Sequence, residues 1–281
     1  MRLISFVHEG QPACGVLEDN QILVDPSSRH ADLKAVLESN ALREFAEACA
    51  SSGKRVPLDQ VTLLPVIANP GKILCVGHNY EEHRQETGRA KTSHPSLFVR
   101  FADTLIGHEA PIVRPPVSTS LDFEGELAVV IGRGGFRVPA EQALDLVAGY
   151  SCFNDGSVRD WQWHTQQFTP GKNFPSTGAF GPALVTPDEV GALDDLTIQT
   201  RLNGDVVQSS TLGHMIFPVA EIIAYVSTFT RLSPGDVIAT GTPGGVGAKR
   251  QPPVWLKPGD VVEIDIAGVG LLRNGVTDAT A

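Results

Sequence analysis

Apolar residues come in short bursts over the first 25 positions: Leu3–Val7, Cys14–Leu17 and Gln21–Val24, each cut off by turn residues. That spacing predicts two or three short strands. From Ser28 to Ala50 the period lengthens. Leu33, Val36 and Leu37, then Leu42, Phe45 and Ala46, mark one apolar helical face. Ser51-Ser52-Gly53-Lys54 stops it, and Val61–Leu64 reads as a strand ending at Pro65 and Asn69-Pro70-Gly71. A small N-terminal domain is therefore placed at residues 1–68 and a larger one at 69–281.

Beyond Gly71 the pattern is mostly strand and turn. Lys72–Gly77 is a buried strand, followed by the polar run Glu81–Lys91. Ser96–Phe101, Phe123–Ile131, Ala183–Val185, Leu196–Leu202, Val237–Thr240 and Val261–Ile266 are strand candidates, and Ala140–Val147 and Pro218–Phe229 have helical spacing. No repeat of 20–50 residues appears. The fold class read from this is α+β, mainly β.

Composition narrows the function classes. Of 281 residues, 42% are hydrophobic and 19% charged, which suits a globular chain and excludes a disordered one. Lys and Arg total 22 against 32 Asp and Glu, a net charge of −10 that repels phosphate backbones, so no nucleic-acid partner is expected. Cys14, Cys49, Cys75 and Cys152 form no C-x-x-C pair and read as buried reduced thiols. The first residues lack the apolar run and cleavage site of a signal peptide, and no window approaches the ~18 apolar residues that span a bilayer. A cytoplasmic protein with no membrane partner is expected.

The most informative stretch is Leu121–Gly132. On a strand, Phe123, Leu127, Val129 and Ile131 share a core face, while Asp122, Glu124, Glu126, Ala128 and Val130 share one that starts acidic and turns apolar. Adjacent carboxylates on a face about to be buried stay ionised only with a cation between them. A solvent-exposed strand end is the alternative. A third acidic cluster, Asn154-Asp155-Gly156-Ser157-Val158-Arg159-Asp160, favours the cation, and carboxylate oxygens without nearby His or Cys suit Mg²⁺ or Mn²⁺. If Asn79–Glu86 is helical, His83 and Glu86 are i, i+3 neighbours, and a carboxylate-held imidazole is the arrangement that activates water. A charged surface helix with an incidental His is the alternative. Thr240–Lys249 has neither a phosphate-loop nor a dinucleotide fingerprint, and a tight loop meeting a small carboxylate ligand fits better. Lys172 sits between aromatic residues, or else is an exposed loop lysine.

Together these stretches resemble the fumarylacetoacetate hydrolase family over roughly Gly71–Val276. The marks, in family order, are Cys75–Tyr80, Asp122–Leu127, Asn154-Asp155 with Ser157–Asp160, Gly171–Phe174, Leu202-Asn203-Gly204, Met215-Ile216-Phe217, and Thr240–Pro243 with Gly245-Val246-Gly247. The resemblance implies a strand-rich roll with a small N-terminal domain, usually a homodimer. It implies metal ligands Glu124, Glu126 and Asp155 holding Mg²⁺ or Mn²⁺, with Ca²⁺ as a substitute. It also implies a general-base dyad His83–Glu86, Lys172 as an electrostatic clamp on the substrate, and Thr242 with Gly241 at its carboxylate. Two departures bear on substrate identity. His78 stands where the family commonly has Leu, Lys or Arg, and Arg100, assigned to substrate binding, stands where Lys is frequent. The implied reaction is hydrolysis of a C–C bond in a 1,3-diketo acid such as an acylpyruvate or fumarylpyruvate, with His83 deprotonating water and Lys172 steadying the departing enolate. Isomerisation or decarboxylation of a muconate-type or 2-oxo acid is the alternative, and a non-catalytic ligand-binding protein is the reading from another class. The segment Glu81–Ser93, polar and with little to bury, is expected to be a mobile lid.

Overall fold

The computed structural model describes residues 1–280 as a strand-rich α+β chain. It opens with β1 (Arg2–His8), β2 (Gln11–Glu18) and β3 (Gln21–Leu23). Two helices follow, α1 (Leu33–Glu38) and α2 (Leu42–Ser52), then β4 (Arg55–Pro57). The apolar spacing runs through both helices, but Asn40 adopts φ +54° between them, and this left-handed turn divides the pattern. Asp32 caps α1 by accepting from the Ala35 N–H.

The larger part contributes β5 (Ile73–Gly77), α3 (Glu81–Glu86), β6 (Ser96–Arg100), β7 (Gly125–Ile131), β8 (Val147–Asp155) and β9 (Gly178–Val185). It continues with β10 (Thr197–Leu202), β11 (Asp205–Thr211), α4 (Val219–Phe229), β12 (Val237–Ala239), β13 (Val261–Ile266) and β14 (Gly270–Asp278). Three of these escape the pattern reading: β8, a continuous apolar run without alternation, β11, which is largely polar, and β14, which is interrupted by Gly275, and cross-strand partners define them. The helix expected at Ala140–Val147 shortens to Ala140–Ala143 and a 3₁₀ turn, since Val147 already belongs to β8.

A twelve-stranded sheet runs β4-β3-β2-β1-β9-β8-β7-β12-β5-β6, with residues 62–63 and 105–106 attached at β1 and β9. β1 pairs with β9, Arg2 opposite Val185 and Leu3 opposite Leu184, so the sheet is continuous across the position where the sequence suggests a boundary. One face is covered by the N-terminal helices: Leu33, Val36, Phe45 and Cys49 share a core with Ala128, Val130 and Phe153. A five-stranded sheet, β11-β10-β13-β14 with residues 112–114, covers the other, where Leu127, Val129 and Ile131 meet Ile198, Val262 and Ile264. All four cysteines are buried and unpaired. No helix among the described residues is long and apolar enough to cross a membrane.

Burial of both faces of β7 explains the glycine between its two glutamates. A Cβ on Gly125 would come within 2.1 Å of Thr200 Oγ1 and 3.4 Å of Ile264. Only hydrogen lets the second sheet close on the strand. Gly125→Ala should cost about 1–3 kcal/mol by overpacking. Thr200→Ala in the same chain should recover most of that loss, as measured by denaturant unfolding of the single and double variants.

Candidate active site

β7 and β8 are antiparallel neighbours with Gly125 opposite Asn154 and Glu126 opposite Phe153. That register sets Asp155 across from Glu124, and the two-residue period puts Glu124, Glu126 and Asp155 on one face at one end of the sheet. The Asp155 N–H donates to the Glu124 carbonyl at 2.9 Å, and Asn154 Oδ1 accepts the Glu124 N–H at 3.0 Å. One oxygen from each carboxylate lies within 4.8 Å of the other two, and all three residues are buried. The structure thus brings together the three residues expected as metal ligands.

Three buried cations surround them. Lys172, at the end of a helical turn Thr169–Lys172, donates from Nζ to Glu124 at 2.8 Å and to Asp155 at 2.5 Å. Arg159 pairs with Glu124 at 2.6 Å and Asp122 at 2.8 Å. Arg100 donates to Asp155 Oδ1 at 2.6 Å. Burial by itself would push Glu124 up, but the Lys172 and Arg159 charges more than offset it and hold the group well below the usual carboxylate range. Glu126 moves the other way: burial, reinforced by Asp155 and Glu124, raises it well above that range. Burial likewise works against the Lys172 ammonium, and Asp155 and Glu124 overturn it, so its pKa rises. Four carboxylates, counting Asp122, thus face three cations, and Glu126 is the one without a cationic partner. An all-oxygen donor set with that residual negative charge fits a hard divalent ion such as Mg²⁺ or Mn²⁺.

Arg100 does not reach the place assigned to it. Its side chain is wholly buried, with Nη1 on Asp155 and the Gly156 carbonyl, Nη2 on Thr177 and Nε on Thr104. The guanidinium is spent holding Asp155, so it positions a candidate ligand and leaves substrate contact to other groups. Gly241 is corrected in the same way, since its N–H donates to Glu126 Oε2 at 2.8 Å. With φ +102°, that backbone is one glycine adopts readily. Thr242 does line the cleft, but its hydroxyl donates to the Gly125 carbonyl at 2.9 Å and accepts from Gln208 at 2.8 Å.

The cleft is lined by Glu124, Glu126, Lys172 and Thr242 on one side and by His78, His83, Phe98 and Phe168 on others. α3 presents His83 to it, and the imidazole Nδ1 lies 2.7 Å from Glu86 Oε1. Glu86 Oε2 in turn accepts the Gly245 N–H at 3.0 Å, which ties the dyad to the glycine-rich loop. In the structure His83 is buried and Glu86 is held, because Gly245 supplies a contact that sequence neighbours do not reveal.

Several contributors have only weak signals in the sequence. Arg159 belongs to a motif, but its two carboxylate partners come from 35 and more residues away. Asp122 accepts from Gly247 N–H at 2.8 Å and Ala248 N–H at 3.0 Å, so it anchors the loop against the acidic strand. Gln208, in polar β11, clamps Gly125, Thr242 and Pro243. Asn79 ties β5 to the Thr240 and Phe217 carbonyls.

His78 adopts φ +57° and stacks on His83 with ring centroids 5.3 Å apart. Burial, helped by His83, lowers its pKa to about 4. The unfolded chain takes up this proton near pH 6.5 and the folded one does not, so stability is full above pH 6.5 and is lost as pH falls towards 4. With partial exposure discounted, the loss is about 2 kcal/mol. His78→Asn, which tolerates the left-handed backbone, should flatten that part of the stability–pH curve in chemical denaturation.

Comparison with known proteins fits this geometry. A family model described as fumarylacetoacetate (FAA) hydrolase C-terminal matches residues 72–277, and one described as Rv2993c-like, N-terminal, matches residues 1–65. Oxaloacetate tautomerase Fahd2a, mitochondrial, from Rattus norvegicus is 41% identical over 237 residues, covering 84% of this chain and 76% of that protein. A solved fumarylacetoacetate hydrolase from psychrophilic Exiguobacterium antarcticum aligns with TM-score 0.89 at 35% identity, covering 99% of this chain and 100% of that one. Maleylpyruvate hydrolase from Sphingobium sp. SYK-6, solved with manganese(II) ion and pyruvate, aligns with TM-score 0.83 at 28% identity over 100% of both chains. The acidic triad lies within the matched segment, which covers well over half of the sequence, and the chain belongs to the fumarylacetoacetate hydrolase family.

Proposed function

We propose that this protein is a divalent-metal-dependent enzyme that enolises a small 2-oxo acid, with keto–enol tautomerisation of an oxaloacetate-type diacid as its reaction. The observation that carries this reading is the placement of the His83–Glu86 dyad on the same cleft as the Glu124–Glu126–Asp155 cluster. The identity with the rat oxaloacetate tautomerase supports the substrate class.

Glu124, Glu126 and Asp155 would hold the ion, which when bound supplies Lewis-acid polarisation of the substrate's oxygens. Everything else falls to the chain. With Nδ1 engaged by Glu86, the imidazole offers Nε2 to the cleft, in position to act as general base. His83 then takes a proton from the carbon beside the oxo group and returns it to carbon or oxygen. Glu86, itself fixed by the Gly245 N–H, sets the tautomer and orientation of the ring. Lys172 keeps a positive charge beside the reacting end, and Phe98 and Phe168 shield it from water.

Hydrolysis of an acylpyruvate is the second reading. It uses the same dyad to deprotonate water, and the maleylpyruvate hydrolase likeness favours it. The cytoplasmic location and homodimer expected from sequence are part of the proposal, and a dimer would elute at twice the monomer mass in light scattering.

Ultraviolet absorbance of the enol separates the two reactions. Tautomerisation of oxaloacetate should proceed without release of a second product, whereas hydrolysis of an acylpyruvate consumes one water and releases pyruvate together with the carboxylic acid of the acyl group. Full turnover in excess chelator would sink the metal-dependent mechanism. His83→Ala should lower kcat by about 10²–10⁴-fold with metal affinity little changed, the range for losing a general base. Glu86→Gln should do the same more mildly, because it orients the ring and does not itself carry the proton.

A further inference from the structure

A diacid bound through one end at the acidic cluster brings a second carboxylate that needs a cation of its own. Four cations line the cleft: Arg89, Arg159, Lys172 and Lys249. Arg159 and Lys172 are buried and committed to Asp122, Glu124 and Asp155. Among the described residues, neither Arg89 nor Lys249 has a carboxylate within ion-pair distance or a side-chain hydrogen bond. Arg89 rests its guanidinium 5.9 Å from the centre of the Phe168 ring, on the cleft wall.

Their backbones are not loose. The Arg89 N–H donates to the Arg84 carbonyl at 3.1 Å, and the Arg89 carbonyl accepts from the Arg84 guanidinium, so Arg89 is tied to the helix that presents His83. Lys249 ends the turn whose Gly247 and Ala248 N–H groups Asp122 holds. One cation thus belongs to the element carrying the base and the other to the loop anchored on the acidic strand.

From this we infer that Arg89 and Lys249 are specificity-determining residues that bind the distal carboxylate of a dicarboxylic substrate across the cleft. The inference rests on the proposed 2-oxo diacid substrate and extends it to residues outside the reacting centre. Charge-assisted hydrogen bonds of this kind carry about tenfold each in affinity. Because both side chains are exposed, the preference should also weaken with added salt.

The test is a binding measurement on Mn²⁺-loaded protein with two ligands that cannot turn over by enolisation: malate, which carries the distal carboxylate, and lactate, which lacks it. Wild-type protein should prefer malate. Arg89→Gln and Lys249→Gln should each reduce the malate-to-lactate affinity ratio about tenfold, and the double variant should reduce it further. Arg89→Lys and Lys249→Arg should restore most of it. Arg133→Gln, an exposed cation away from the cleft, should leave the ratio unchanged. A wild type without preference, or a double variant that keeps the wild-type ratio, overturns the inference. Failure of the proposed reaction would show separately, as absence of oxaloacetate turnover in a protein that still discriminates malate from lactate.

Discussion

The structure depends on keeping several carboxylates buried at one end of β7 and β8. Left alone, Asp122, Glu124, Glu126 and Asp155 would repel one another and lose hydration that a buried site does not return. Arg100, Arg159 and Lys172 make the arrangement stable, and each comes from a different segment. Removing one partner from such a network typically costs about 3–5 kcal/mol, since it strands the opposite charge. The local chain reflects this demand: the helical turn that delivers Lys172, the loop that Asp122 holds and the close approach at Gly125 all serve it.

The same network divides the labour among the cations. Those that are buried hold carboxylates, and Arg89 and Lys249 at the mouth face solvent. Arg100 shows why charge type alone does not assign a role. An arginine beside an acidic cluster suits substrate binding or structural pairing equally, and burial with four satisfied hydrogen bonds decides for pairing. Glu126 is the exception that makes the cluster receptive. Without a cation of its own, it is the carboxylate with most to gain from a divalent ion.

The glycine-rich loop joins both halves of the site. Gly241 holds Glu126, Gly245 holds Glu86, and Gly247 with Ala248 is held by Asp122. A single loop thereby registers the His83–Glu86 pair against the acidic cluster, its backbone N–H groups fixing the carboxylates of Glu86, Asp122 and Glu126.

Much of this was legible in the amino-acid sequence. The two-residue period of Leu121–Gly132 placed Glu124 and Glu126 on one face, the absence of nearby His or Cys pointed to a hard ion, and the i, i+3 spacing paired His83 with Glu86. Those are local properties, carried by strand and helix geometry over a few residues. What lay beyond sequence was every contact whose partner is distant in the chain. Asp155 faces Glu124 only through the β7–β8 register, and Arg100, Gly241 and Thr242 turned inward only because Asp155, Glu126 and Gly125 were there to take their hydrogen bonds. The contact that holds the polar helix at Glu81 comes from Gly245, more than 150 residues on. Periodicity dictates which way a side chain points, and packing decides what it meets.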